Sequence, residues 1–168
     1  MNLNRNADPA ERSPLMRLLY RDWRPTRKGR KGNKLQGWLP GLGFPRNFMA
    51  ILEVRGRRSG QLRSTPVVIA TLEDKQYLVS MLGPDSDWVR NVEASHGAAV
   101  LRHGRRRRVQ LVQIPAEQRA PILREYVRIA TSGRTHFPIA VDAALSEFAA
   151  IAKDYPVYRI DTAAPNPH

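Results

Sequence analysis

Residues 54–70 read VRGRRSGQLRSTPVVIA: a β-branched run, a Gly-Arg-Arg-Ser-Gly connection, and a second apolar run. Val, Ile and Thr suit a pleated, half-buried surface, and two glycines permit a tight reversal between the arms. A β-hairpin is predicted, with strands over Phe48–Arg55 and Arg63–Leu72 and with Arg57, Arg58 and Arg63 at its turn. The glycines also expose backbone N–H groups, and Arg58 and Arg63 carry planar donors matched to phosphate or carboxylate oxygens. Ser59, Ser64 and Thr65 add hydroxyls. The turn has no Gly-Lys-Ser/Thr and opens no helix, so it is not a nucleotide-binding P-loop. From these residues alone, an anion site and a solvated turn with solubilising arginines are both open readings.

The flanking sequence continues the pattern. Glu73-Asp74-Lys75 reads as a turn into a third strand, Gln76–Met81. Gly83-Pro84 precedes a helix from Ser86 to Ser95, with Asp85 or Ser86 as N-cap. Ala98–Arg102 and Arg107–Ile114 form a second hairpin turning at His103-Gly104-Arg105. A helix from Pro115-Ala116 to Ala130 presents Ile122, Tyr126 and Ile129 on one face. A further helix fits Ala140–Ala152, and Val157–Ile160 is the last strand. Six or so strands joined mostly by hairpins, with helices between pairs, imply an α+β fold: an antiparallel sheet or small barrel with flanking helices.

Upstream, residues 1–47 read as a basic segment. Pro14–Trp23 has helical spacing of Leu15, Leu18, Leu19 and Trp23, and residues 37–47 form a Gly/Pro-rich loop. Residues 48–161 are expected to form the barrel and 162–168 a tail. Charge follows this division. Residues 1–63 hold 15 Lys/Arg against 4 Asp/Glu, whereas the rest hold 13 against 11. The asymmetry points to an anionic partner, and a peripheral contact with an anionic membrane is one expectation for the basic run Arg24–Lys34. With no cysteine, disulfides, thiolate metal sites and cysteine nucleophiles are excluded. No apolar run approaches the roughly 20 residues of a membrane span, and the N-terminus shows no apolar signal core; a cytoplasmic location is expected. His96, His103, His136 and His168 lack the paired spacing of a metal site, so no metal is expected. The four-arginine run Arg105–Arg108 alternates along a strand, Arg106 and Arg108 on one face and Arg107 with Val109 on the other.

Taken together, GRRSGQLRSTPV at 56–67 and YLVSMLGPDSDWVRNVEA at 77–94 resemble the deazaflavin-dependent nitroreductase family, actinobacterial split β-barrel enzymes that use coenzyme F420. The resemblance covers Leu52 to about Val112. It implies a split β-barrel and a coenzyme with a phosphodiester, a polyglutamate tail and a deazaflavin ring. By resemblance, Arg57, Arg58, Ser59, Arg63, Ser64, Thr65, Pro66, Val67 and Val68 bind the coenzyme, Arg58 and Arg63 on its charged groups. Val79, Ser80 and Met81 lie along the ring, and Asp87, Trp88, Val89, Arg90 and Asn91 close the other side. Ser80, Tyr126 and His136 are the candidate hydrogen-bond or proton donors. The loop SMLGPDSDW is shorter than the Gly-Gly-rich version of the nitroimidazole-reducing members and lacks their lysine. The implied activity is hydride transfer from reduced F420 to a small-molecule substrate: a quinone, an enone or a nitro compound. A homodimer is also implied. The alternatives are an FMN-binding protein of the same architecture, or a non-catalytic basic protein for lipid or nucleic acid. No recognisable nucleic-acid module is present, so no specific nucleic-acid partner is expected.

Overall fold

A computed structural model describes residues 48–131 and 133–163, together with the backbone of Tyr20–Arg21 and Arg24–Pro25. The chain divides into two units, 1–42 and 43–168, where the sequence suggested a boundary at 47. In the first unit, Tyr20–Arg21 pairs antiparallel with Arg24–Pro25. Those two residues are therefore extended, not helical; the remainder of the expected Pro14–Trp23 helix, the basic run beyond Pro25 and the 37–47 loop lie outside the described residues.

The second unit is a closed antiparallel barrel of six strands: β1 (Met49–Arg55), β2 (Leu62–Leu72), β3 (Lys75–Val79), β4 (Ala98–His103), β5 (Arg105–Gln113) and β6 (Val157–Thr162). Its order is β1-β2-β3-β6-β5-β4, closing through β4 on β1. Sequence-adjacent strands pair as hairpins, and β6 returns from the end of the chain to sit between β3 and β5. Among the described residues, three helices flank the barrel: α1 (Asp87–Ala94), α2 (Ala120–Ile129) and α3 (Leu145–Ile151). This is the α+β split-barrel architecture expected from the sequence.

Period-two alternation divides the strand residues between two cores. Leu52, Val54, Val67, Ile69, Leu78, Leu101 and Tyr158 point into the barrel, which Val89 and Val92 of α1 help to fill. Val68, Ala70, Tyr77, Val79 and Val157 point outward and are covered by Ile122, Leu123, Tyr126 and Val127 of α2 with Phe148 of α3. β2 contributes to both cores, which explains its near-continuous apolar stretch Val67–Ala70.

The turns follow local chemistry. Glu73 and Asp74 both have positive φ, 50° and 60°, as a two-residue hairpin of the primed type requires. Two helices start later than expected. Pro121 has no N–H to donate and is accommodated only in the first turn, so α2 begins at Ala120 after a separate 3-10 turn at Ala116–Gln118. α3 begins at Leu145, where the Glu147 carboxylate accepts the Ala144 N–H at 3.2 Å, half of a capping box.

Candidate coenzyme site

The β1–β2 connection closes through two backbone bonds, Gly56 N–H to Gln61 O and Gly60 N–H to Gly56 O, both 2.8 Å. Gly60 takes φ +64°. A Cβ at Gly56 would meet Ser59 Oγ at 3.1 Å and Arg63 Cγ at 3.3 Å. The loop is thus folded tightly on itself, with Arg57 and Arg58 at its apex.

These two neighbours have opposite fates. Arg57 turns back onto α1: its backbone N–H and its Nη1 both donate to Asn91 Oδ1, at 3.1 and 3.0 Å, and Nη2 pairs with Asp87 Oδ1 at 3.1 Å. Arg58 is exposed and has no hydrogen bond or ion pair among the described residues. Arg63, opposite Val54 in the ladder, is exposed, and its one side-chain hydrogen bond among the described residues goes to Ser59 Oγ at 3.5 Å. The backbone N–H groups of Arg58 and Ser59 likewise have no partner among the described residues. β3 pairs with β2 only from Ile69 onward, so the edge of Leu62–Val68 away from β1 has no ladder partner among the described residues. Pro66 falls in this stretch, where a missing N–H can face the free edge.

Beneath the hairpin, the 80–86 connection is fixed by a hydroxyl knot. Ser80 Oγ donates to Gly83 O at 2.7 Å, contacts Ser86 Oγ at 2.7 Å, and Ser86 Oγ also reaches Gly83 O at 2.8 Å. Ser86 is the N-cap residue of α1, but its hydroxyl serves this knot in place of a helix N–H. Trp88 is half-buried and meets Tyr158 edge-on, centroids 5.6 Å apart. Met81 is half-buried next to Gly133.

Arg57 thus joins the hairpin to α1, the helix into which the 80–86 loop leads. Within them, the side chains differ in what they can offer. Arg58, Ser59, Arg63, Ser64, Asp87 and Arg90 are exposed, Arg90 in an ion pair with Asp85. Thr65, Pro66, Met81 and Trp88 are half-buried. Val67 and Val89 face the barrel core, Val68 and Val79 the α2 core, and Asn91 is buried against Arg57.

The three candidate proton donors each sit in a different local setting. Ser80 is 1% exposed and committed to its knot. Tyr126 lies in the α2 core with its ring 5.9 Å from Phe137, and complete burial pushes its phenol well above the usual range. His136 is the last residue of the 3-10 turn Arg134–His136 after α2; its carbonyl accepts from Tyr155 Oη at 2.8 Å, and burial lowers its imidazole pKa.

Two arginines with structural roles escaped the sequence reading. Arg119 is buried, its guanidinium donating to the Ile114, Ala152 and Tyr155 carbonyls, which ties the start of α2 to the approach to β6. Arg106 holds the buried Glu53 carboxylate with two bonds, at 2.5 and 3.1 Å. Neither has a sequence signal, because the partners are 5 to 53 residues away. Tyr158 Oη is buried without a hydrogen bond of normal geometry; burial, then the Glu93 carboxylate, pushes its pKa up to about 12.

A six-stranded antiparallel barrel carrying cationic donors on one hairpin defines a split-barrel binding fold. A protein of unknown function from Agrobacterium tumefaciens str. C58 shares it, with TM-score 0.52, 12% identity, and coverage of 69% of this chain and 48% of that one. This chain thus spans about half of that protein's length. A structure described as an F420-H2 dependent reductase (FDR-A) aligns with TM-score 0.45 and 16% identity, over 67% of this chain and 93% of that one. A NimC/NimA family protein from Clostridium acetobutylicum aligns with TM-score 0.48 and 14% identity, over 79% and 87%. None of the curated proteins matches the sequence. The profile of the F420H(2)-dependent quinone reductase family matches residues 25–145, and the chain belongs to that family of F420-dependent oxidoreductases. The match supports F420 and gives no support to FMN.

The residues present fit such a coenzyme. Its anions need donors that are not already neutralised, and the hairpin offers, among the described residues, two guanidinium groups without an ion pair, two backbone N–H groups without a partner and a strand edge without a ladder partner.

Proposed function

We propose that the protein reduces a small organic acceptor (a quinone, an enone or a nitro compound) with reduced F420, held at the β1–β2 hairpin. The observation that carries this is the contrast at the apex: Arg57 is spent on α1, while Arg58 and Arg63 are exposed and have no carboxylate partner among the described residues. Reduced deazaflavin supplies hydride from its C5 in one two-electron step. The chain's own task is to bind, orient and stabilise charge. Arg58 and Arg63 would take the phosphodiester and glutamate carboxylates, with the Arg58 and Ser59 N–H groups. Met81 and Trp88, half-buried at the two ends of the 80–86 loop, are the apolar surfaces for the ring. Asn91 and Asp87 act through Arg57, holding the hairpin at a fixed distance from α1.

Fluorescence titration with F420, followed by absorbance assays of the reduced coenzyme with quinones, enones and nitro compounds, tests the reading. Micromolar or tighter binding and acceptor-dependent oxidation are expected. Absence of binding would overturn the site; binding without oxidation of any acceptor class would overturn the reductase role.

A further inference from the structure

The run Arg105–Arg108 takes no part in the hairpin site. Arg106 is neutralised by Glu53, and Arg105 and Arg108 are exposed. Arg107 differs. It shares the inward side of β5 with Val109 and Leu111, which places it at the mouth of the barrel, half-buried. Its Nη2 donates to Gln76 Oε1 at 2.6 Å, a neutral acceptor, and no carboxylate pairs with it among the described residues.

Arg107 and Gln76 line an open cleft of about 350 Å³ with Lys75, Arg159 and the two acids Asp74 and Asp161. Asp161 is taken by Arg159 through paired bonds of 2.7 and 2.8 Å. Lys75 is exposed with no ion pair among the described residues. Among the described residues, the cleft therefore holds two cations without an ion pair, Arg107 and Lys75, and one carboxylate without one, Asp74. A half-buried guanidinium bonded only to an amide has most of its five N–H donors left for a ligand. The cleft volume lies at the lower end for small-molecule sites.

We infer that this barrel mouth binds a small polyvalent oxyanion, a phosphate ester or a polycarboxylate, between Arg107 and Lys75. It is separate from the coenzyme site. β2 has the hairpin at Leu62 and the Glu73-Asp74 turn beyond Leu72, and its eleven residues put roughly 30 Å between them. The inference does not depend on the coenzyme reading.

The test uses ¹⁵N-labelled protein carrying Arg58→Ala and Arg63→Ala, which removes the competing hairpin cations. It is titrated at low salt with pyrophosphate and, separately, with citrate, and the Lys75, Gln76 and Asp161 amides are followed. The two arms distinguish a phosphate from a carboxylate ligand. Saturable shifts at those amides are expected in at least one arm. Adding Arg107→Gln should weaken binding about tenfold, and Lys75→Ala several-fold. No saturable shift in either arm overturns the proposal, as does a dissociation constant unchanged by both substitutions. Should Arg107→Gln fail to fold, the exposed Lys75→Ala decides alone: unchanged affinity there overturns the site.

Discussion

The backbone N–H and the Nη1 of Arg57 end on the same oxygen, Asn91 Oδ1, at 3.1 and 3.0 Å. One buried carboxamide thus fixes both the path of the hairpin and the direction of its first arginine. Asn91→Ala would strand the N–H and half-buried guanidinium of Arg57, so stability should fall by about 1–3 kcal/mol. Denaturant unfolding would measure that loss, and F420 affinity should fall with it as the hairpin loosens. Unaltered stability would mean that the latch contributes nothing.

Arg58→Ala and Arg63→Ala should do the reverse. Both side chains are exposed and form no ion pair among the described residues, so unfolding midpoints should be almost unchanged. F420 binding should weaken by about 1–3 kcal/mol for each, with a shallower salt dependence. Titrations at two salt concentrations check both parts. Wild-type affinity in both variants would remove the hairpin from the coenzyme site.

Ser80 offers a way to separate structure from chemistry. Its hydroxyl is buried between Gly83 O and Ser86 Oγ. Ser80→Ala should therefore cost about 1 kcal/mol of stability, the loss of the Ser80 hydrogen bonds, since Ser86 Oγ still donates to Gly83 O. The rate of coenzyme oxidation at saturating acceptor should change little in the folded variant. A large loss of rate at unchanged stability would instead make Ser80 a proton donor.

Two glycines with positive φ should differ sharply. At Gly60 an added Cβ meets nothing within 4 Å, so Gly60→Ala carries only backbone strain of about 1 kcal/mol. At Gly97 the Cβ would lie 2.3 Å from Leu111 O, whose backbone is held in the β5 ladder. Gly97→Ala should cost on the order of 3 kcal/mol or more, or prevent folding. Thermal melts of the two variants give the comparison.

His136 sets a pH dependence. Burial lowers its pKa below the ordinary 6.5, so on acidification the unfolded chain takes up a proton before the folded one does. Its contribution is intact above pH 6.5 and is lost progressively as pH falls from there to the depressed folded value. Replacing His136 with Gln should flatten the unfolding midpoint across that window relative to wild type. An unchanged slope would show that His136 does not titrate differently on folding.

Much of the barrel was legible because hairpins are local. The turns at Glu73-Asp74 and His103-Gly104-Arg105 and five strand positions follow from alternation and turn residues a few positions apart. The late starts of α2 and α3 were not, since a helix boundary depends on where a proline or a capping carboxylate can be accommodated. Among the candidate donors, Tyr126 shares its helix face with Ile122 and Ile129 in the sequence, and the packing of α2 on the outer barrel face buries it. His136 carries no such periodic signal, and its half-burial in the turn after α2 is a tertiary result.

By itself, the sequence determined the hairpin order, the excess of cationic side chains at one turn and the two motifs that carry the family resemblance. It could not distinguish Arg57 from Arg58, adjacent in one Gly-Arg-Arg-Ser-Gly run. That distinction was made by α1, which arrives some thirty residues later and presents Asn91 and Asp87 to one arginine alone. A guanidinium's role is fixed by which acceptors lie within about 3 Å of it, and chain folding sets that distance, not sequence spacing.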